Sequence, residues 1–164
     1  MLGMNERDFD FLFGRWKGRN RRLKERLAGS NEWLEFDCTI ECFPIWGGAA
    51  HYDVYEALDT PIGAIHGLTL RLYDPKSQQW AIYWVSSRNG LLCPPVRGGW
   101  NGDRGEFYGD DDDEGRPIHC RFVWERLGPN RFRWSQDFAL ITEGSGANPA
   151  WERNWVMEGT RIRD

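Results

Sequence analysis

The sequence predicts an all-β protein: a single antiparallel up-and-down β-barrel of about ten strands with a short N-terminal helix. Three observations lead there. Apolar and polar residues alternate with period two in several segments. Turn-forming residues sit between those segments at near-even spacing. No intervening segment is long and helical enough for a parallel crossover, so successive strands pair antiparallel. Such a meander buries its apolar faces as a sandwich or as a closed barrel. Closure removes both edges, and the first and last strands alternate too, which favours the barrel.

The elements follow in order. Asn5 can cap a helix running to Phe13, with Glu6 and Asp8 suited to its positive end. Gly14 stops it. The first strand covers 15–27, where Trp16 and Leu23 differ in parity, so a bulge near Asn20 is expected to bring both inside. Leu34 to Cys42 alternates cleanly. Weaker strands follow at 49–58, 64–73, 78–87, 95–101 and 104–109. Ile118 to Arg126, Phe132 to Leu140 and Trp151 to Glu158 alternate again. Turns at Asp59 to Gly63, Asp74 to Ser77, Asn101 to Asp103 and Gly128 to Asn130 fit hairpins. The acidic run Asp110 to Glu114 reads as a solvated hairpin tip; it lacks the spacing of an EF-hand loop. Residues 1–164 form one domain, as the chain length suggests.

Composition narrows the function classes. The net charge of −4 argues against a general nucleic-acid binder, which relies on Lys and Arg. The basic residues from Arg15 to Arg26 face Glu35, Asp37 and Glu41 on the next strand, so cross-strand pairing accounts for them. The longest uncharged stretch, Cys42 to Tyr52, is shorter than a spanning helix, so no membrane partner is expected. Met1 to Asp10 carries no apolar signal-peptide core, and a cytoplasmic location is expected. Cys38 and Cys42 would lie roughly 13 Å apart along a strand, too far for a disulfide. No cysteine or histidine spacing suits zinc, and no metal is expected.

Gly14-Arg15-Trp16 follows the predicted helix. Further on come Gly67-Leu68-Thr69-Leu70-Arg71-Leu72-Tyr73-Asp74-Pro75, Trp80 to Val85, Ser87-Arg88-Asn89-Gly90, Phe107-Tyr108-Gly109-Asp110 and Trp155-Val156-Met157-Glu158. Together these resemble an uncharacterised bacterial family of lipocalin-like (calycin-type) domains of unknown function, over nearly the whole chain. The resemblance implies a lipocalin-like barrel with Trp16 plugging its closed end. It implies no activity and no catalytic residues. Distant relatives of that fold bind fatty acids, haem or other hydrophobic molecules.

The chain is tryptophan-rich, with ten. Trp80, Trp84, Trp124, Trp134, Trp151 and Trp155 fall on predicted inner faces, either as packed core or as the lining of a pocket. Gln136 and Arg153 share those faces, and an inward Arg suits a ligand carboxylate. Arg88, just after the strand from Trp80, is expected at the barrel rim. The ligand-binding candidates are therefore Trp84, Arg88, Trp124, Trp134, Gln136, Arg153 and Trp155. No cofactor is expected: haem would need an inward histidine, and by parity with Leu68 and Leu70 only His66 qualifies, with His119 pointing out. No nucleophile elbow, phosphate loop or metalloprotease motif occurs. Glu56 and Glu143 could lie near the mouth, with no base or nucleophile beside them.

Three functions remain open. The first is a barrel binding a small hydrophobic or aromatic molecule, an acidic one among the options. The second is an isomerase or hydrolase on the same barrel using Arg153, Gln136 and Arg88. The third is a packed barrel acting through protein contacts. Trp80 to Val85 is apolar at every position, so one face is surplus to the barrel interior. With Ala81, Tyr83 and Val85 outward, joined by Val123 and Val156, a homodimer through the outer wall is expected, unless the chain's own helix or a loop covers the patch.

Overall fold

A computed structural model describes residues 6–143 and 148–163. Ten antiparallel strands close into one barrel, each paired to its neighbours in sequence and the last to the first. They are β1 (Gly14–Leu23), β2 (Trp33–Ile45), β3 (Ala50–Ala57), β4 (Ile65–Asp74), β5 (Gln79–Ser86), β6 (Val96–Asn101), β7 (Arg104–Asp113), β8 (Arg116–Gly128), β9 (Arg131–Leu140) and β10 (Glu152–Arg161). The all-β, ten-stranded expectation holds. The N-terminal helix is smaller than expected: a single 3-10 turn, Asp10–Leu12, with no side-chain cap. Asn5, its expected cap, lies outside the described residues.

Two local expectations change. β1 carries no bulge; Trp16, Gly18 and Asn20 alternate inward in continuous register with β2. Leu23 is buried by its surroundings at the strand end, and Arg22 takes the inward position beside it. The acidic run is not a tip, because Asp110 to Asp113 belong to β7 and pair with Arg116 to His119. Only Glu114 and Gly115, at φ 52° and 85°, make the turn. The basic ladder behaves as expected: Arg19–Asp37 at 3.1 Å and Arg21–Glu35 at 3.8 Å pair across the outer face of β1 and β2.

The segment before β1 plugs one end. Phe9, fully buried, packs its ring at 5.1–5.8 Å from Trp80, Trp100, Phe107 and Trp124, on β5 to β8. Trp16 donates its indole N–H to the Leu12 carbonyl at 2.8 Å. Arg161 stacks over Trp16, 4.3 Å from its ring centroid, and donates to the Phe13 carbonyl at 2.7 Å. One cation thus fastens the first strand, the last strand and the plug. The other end, ringed by Arg22, Arg88, Asp111 and Cys93, stays open.

Candidate functional site

The site begins with an inversion of the usual pattern. On β4, Thr69 and Arg71 point into the barrel, while Leu68, Leu70 and Leu72 face outward. On β3, His51, Asp53 and Tyr55 point in, and Tyr52 and Val54 face out. Polar groups held inside a barrel must be paired or must serve a ligand, because desolvation is costly. His51 is therefore the inward histidine. His66 faces outward, 3.3 Å from Glu56, which removes both from the interior.

Two adjoining spaces occupy the barrel. An inner chamber of about 70 Å³ lies above the plug, lined by Trp84, Trp124, Trp134, Trp155, Phe122 and Tyr55. Asp53, Thr69 and Arg71 form its polar wall. A vestibule of about 290 Å³ opens to solvent. The spaces share Ile82, Trp84, Phe122, Gln136 and Trp155, so the chamber lies directly behind the vestibule. The chamber rings pack edge to face, Trp134 on Trp155 at 5.6 Å and Phe122 on Trp134 at 5.2 Å. That geometry fixes flat aromatic walls.

Arg71 and Asp53 are both 3% exposed and lie 2.7 Å apart. The guanidinium also sits 5.1 Å from the Trp124 centroid and 5.2 Å from that of Phe9. Burial pushes the Asp53 carboxyl up, and Arg71 and Thr69 pull it only part of the way back. Burial, helped by the Arg71 charge, holds the His51 imidazole down at about 2. His51 is therefore neutral, packed between Phe9, Phe13 and Trp80.

Asn20 organises the opposite wall. Its Oδ1 accepts from the Tyr55 hydroxyl and from the Trp155 indole, each at 3.0 Å. An indole N–H only donates, so the amide orientation is determined. Gln136 donates to Asn154 Oδ1 at 2.9 Å. Around this interior the donors Asn20 Nδ2, Arg22 Nε, Arg71 Nε, Trp124 Nε1 and Asn154 Nδ2 are buried without a partner, as are both ring nitrogens of His51 beside the plug.

Of the residues singled out from sequence, Trp84, Trp124, Trp134, Gln136 and Trp155 converge on the chamber. Arg88 lines the vestibule at the rim, its Nη2 donating to the Ile62 carbonyl at 2.6 Å and so holding the β3–β4 loop. Arg153 does not converge. A bulge in β10 between Arg153 and Trp155 shifts the register, and Arg153 stands opposite Asp137. Asp137 has the outward parity, between inward Gln136 and Phe138. Arg153 Nε donates to its Oδ1 at 2.9 Å, and Arg121 Nε donates to its Oδ2 at 2.8 Å. Trp151 lies on the same outer wall, with Arg121 4.5 Å from its ring centroid. His119 also faces out, 2.6 Å from Asp110.

No family model matches the chain, and no curated protein matches it. Solved structures do. The barrel EF1p2_mFAP2b, bound to DFHBI, is 12% identical with a TM-score of 0.51, over 96% of this chain and 98% of that one. The redesigned β-barrel b11L5F_LGL is 8% identical with a TM-score of 0.50, over 96% of each chain. The redesigned β-barrel mFAP1, bound to DFHBI, is 10% identical with a TM-score of 0.50, over 94% of this chain and 99% of that one. These similarities are of fold.

Sequence reasoning missed Arg22, Asp53 and Arg71. A signal was present for Arg71: it alternates with Thr69 and Tyr73, so reading β4 with its leucines outward brings it inside. The choice of face needed the neighbouring strands.

Proposed function

We propose that the protein binds a small, flat, hydrophobic or aromatic molecule inside the barrel. The observation that carries this reading is a chamber walled by four tryptophans and edged by unpaired donors, set behind a vestibule with which it shares Trp84, Phe122 and Trp155. The vestibule alone approaches the ~300 Å³ lower bound typical of small-molecule pockets. Two barrels of similar fold are bound to DFHBI, a small aromatic dye, which supports the same use of this interior. Trp84, Trp124, Trp134 and Trp155 would provide the stacking walls, Gln136 a directional hydrogen bond, and Arg88 a fixed rim. The Gly14-x-Trp16 motif and its companions support placing the chain with the uncharacterised lipocalin-like bacterial family. DFHBI and the phenylalkanoates serve as probes. Each is expected to quench tryptophan fluorescence saturably; Trp134→Ala should weaken them several-fold, and Arg153→Met should leave them unchanged. Unsaturable quenching, or equal loss in both variants, would contradict the reading.

One observation favours an enzyme as the second reading. Asp53 is a buried carboxyl of raised pKa facing the chamber, the type of group that moves protons in active sites. Asp53→Asn would then bind ligand but abolish its turnover.

The third element of the proposal is a second copy of this chain on the outer wall. Tyr52, Leu70 and Tyr83 stand in one row across β3, β4 and β5, with Val54, Leu68 and Val85 in the next. Molecules carrying a net charge of −4 meet with least repulsion where neither presents a charge, and this face has none in those two rows. Val123 does not contribute, because its own chain already buries it.

A further inference from the structure

Arg22 has no carboxylate partner among the described residues. The other cations of the mouth are engaged. Arg26 lies 3.0 Å from Asp113, and Arg116 lies 3.0 Å from the second oxygen of the same carboxylate. Arg88 is spent on backbone carbonyls of the β3–β4 loop. Asp111 accepts from the Asp112 backbone N–H at 2.7 Å. Arg22 instead lies 5.2 Å from the Trp155 ring centroid, with Nε buried and unbonded, on the wall of the vestibule. Burial together with the charges of Arg26 and Arg88 draws its pKa down to about 10, so this cation is held where it is electrostatically uncomfortable. An anion placed there would relieve that cost, which among the described residues Asp113 offsets only in part.

We propose that the ligand is an organic carboxylate, its head group bound by Arg22 in the vestibule and its aromatic or hydrophobic tail directed past Trp155 into the chamber. This rests on the binding reading above and adds the head group and its receptor. Trp155 connects the two halves: it lines both spaces, and its indole N–H is tied to Asn20. The unpaired donors on these walls, Arg22 Nε in the vestibule and Trp124 Nε1 in the chamber, agree, since a carboxylate brings only acceptors. Arg71 is the less suitable anchor because Asp53 already faces it at 2.7 Å. The guanidinium fork of Arg22 matches a carboxylate in two-point geometry, which Lys does not reproduce.

The test is calorimetric titration with phenylalkanoates and with the primary amide of each, which differ in charge but little in shape. Wild type is expected to prefer the acid over its amide by about tenfold, the worth of one charge-assisted contact. Arg22→Gln should erase that preference and leave the amide's affinity nearly unchanged. Arg22→Lys should restore only part of it, and Arg19→Gln, an outer-face charge on the same strand, should leave it intact. High salt should reduce the preference in wild type, a readout that needs no variant to fold. If amides bind and acids gain nothing, or the gain survives in Arg22→Gln, the head-group assignment fails while the binding reading stands. If neither probe binds, the binding reading fails first.

Discussion

His51 is a fully buried imidazole with no hydrogen bond to either ring nitrogen. Its folded pKa of about 2 lies below the ordinary 6.5. Between those values the unfolded chain binds the extra proton, so stability rises with pH across the window and is lost as pH falls below 6.5. The slope approaches ~1.4 kcal/mol per pH unit well inside the window, so roughly 2–3 kcal/mol goes by about pH 4.5. Asp53 acts in the opposite sense: its raised carboxyl takes a proton first in the folded state and adds stability as pH falls. The comparison that isolates His51 is therefore wild type against His51→Phe, which keeps the ring and sacrifices no hydrogen bond. Urea denaturation from pH 7 to 4.5 should show the wild type losing roughly 2–3 kcal/mol more than the variant. Parallel curves would contradict a buried neutral histidine.

At the level of elements, β4 and β5 fit together through one missing side chain. A Cβ on Gly67 would fall 2.0 Å from the Trp84 ring, so the indole occupies the space that glycine leaves. Gly67→Ala should push Trp84 off the chamber wall, cost about 1–3 kcal/mol as overpacking does, and weaken probe binding. Denaturation and a fluorescence titration on the same variant check both effects; an unchanged affinity would mean that Trp84 plays no part in the wall. These strands also show where sequence reading stops. In β2 a polar face alternates with an apolar one, so inside and outside were legible from Phe36, Cys38 and Ile40. In β4 the apolar face is the outer one, and periodicity reveals two faces without saying which turns inward. For that reason the parity of Leu68 and Leu70 pointed His66 inward, and Arg71 was not recognised as an interior residue. In β10 the expected parity holds for Trp155 after the bulge and is reversed before it, where Trp151 and Arg153 stand on the outer wall. A bulge leaves no mark in a hydrophobic pattern. The tryptophans of β5, β8, β9 and β10 were legible as pocket walls because each keeps the parity of its own strand.

For the whole molecule, the inverted strands link the interior to the exterior. The polar groups that β3 and β4 turn inward displace Leu68, Leu70 and Tyr52 to the outside, so the same pattern that builds the chamber builds the apolar face. Sedimentation at micromolar concentration should give a dimer, and Leu70→Lys should give a monomer that still binds the aromatic probes. A wild type that stays monomeric would remove the second copy and leave the chamber untouched. The chamber itself is tested most directly by following the indole N–H resonances during titration with a phenylalkanoate. The account predicts saturable shifts at Trp124, Trp134 and Trp155, while Trp33 and Trp151 on the outside stay still. Shifts confined to the outer tryptophans, or none at saturating ligand, would contradict it.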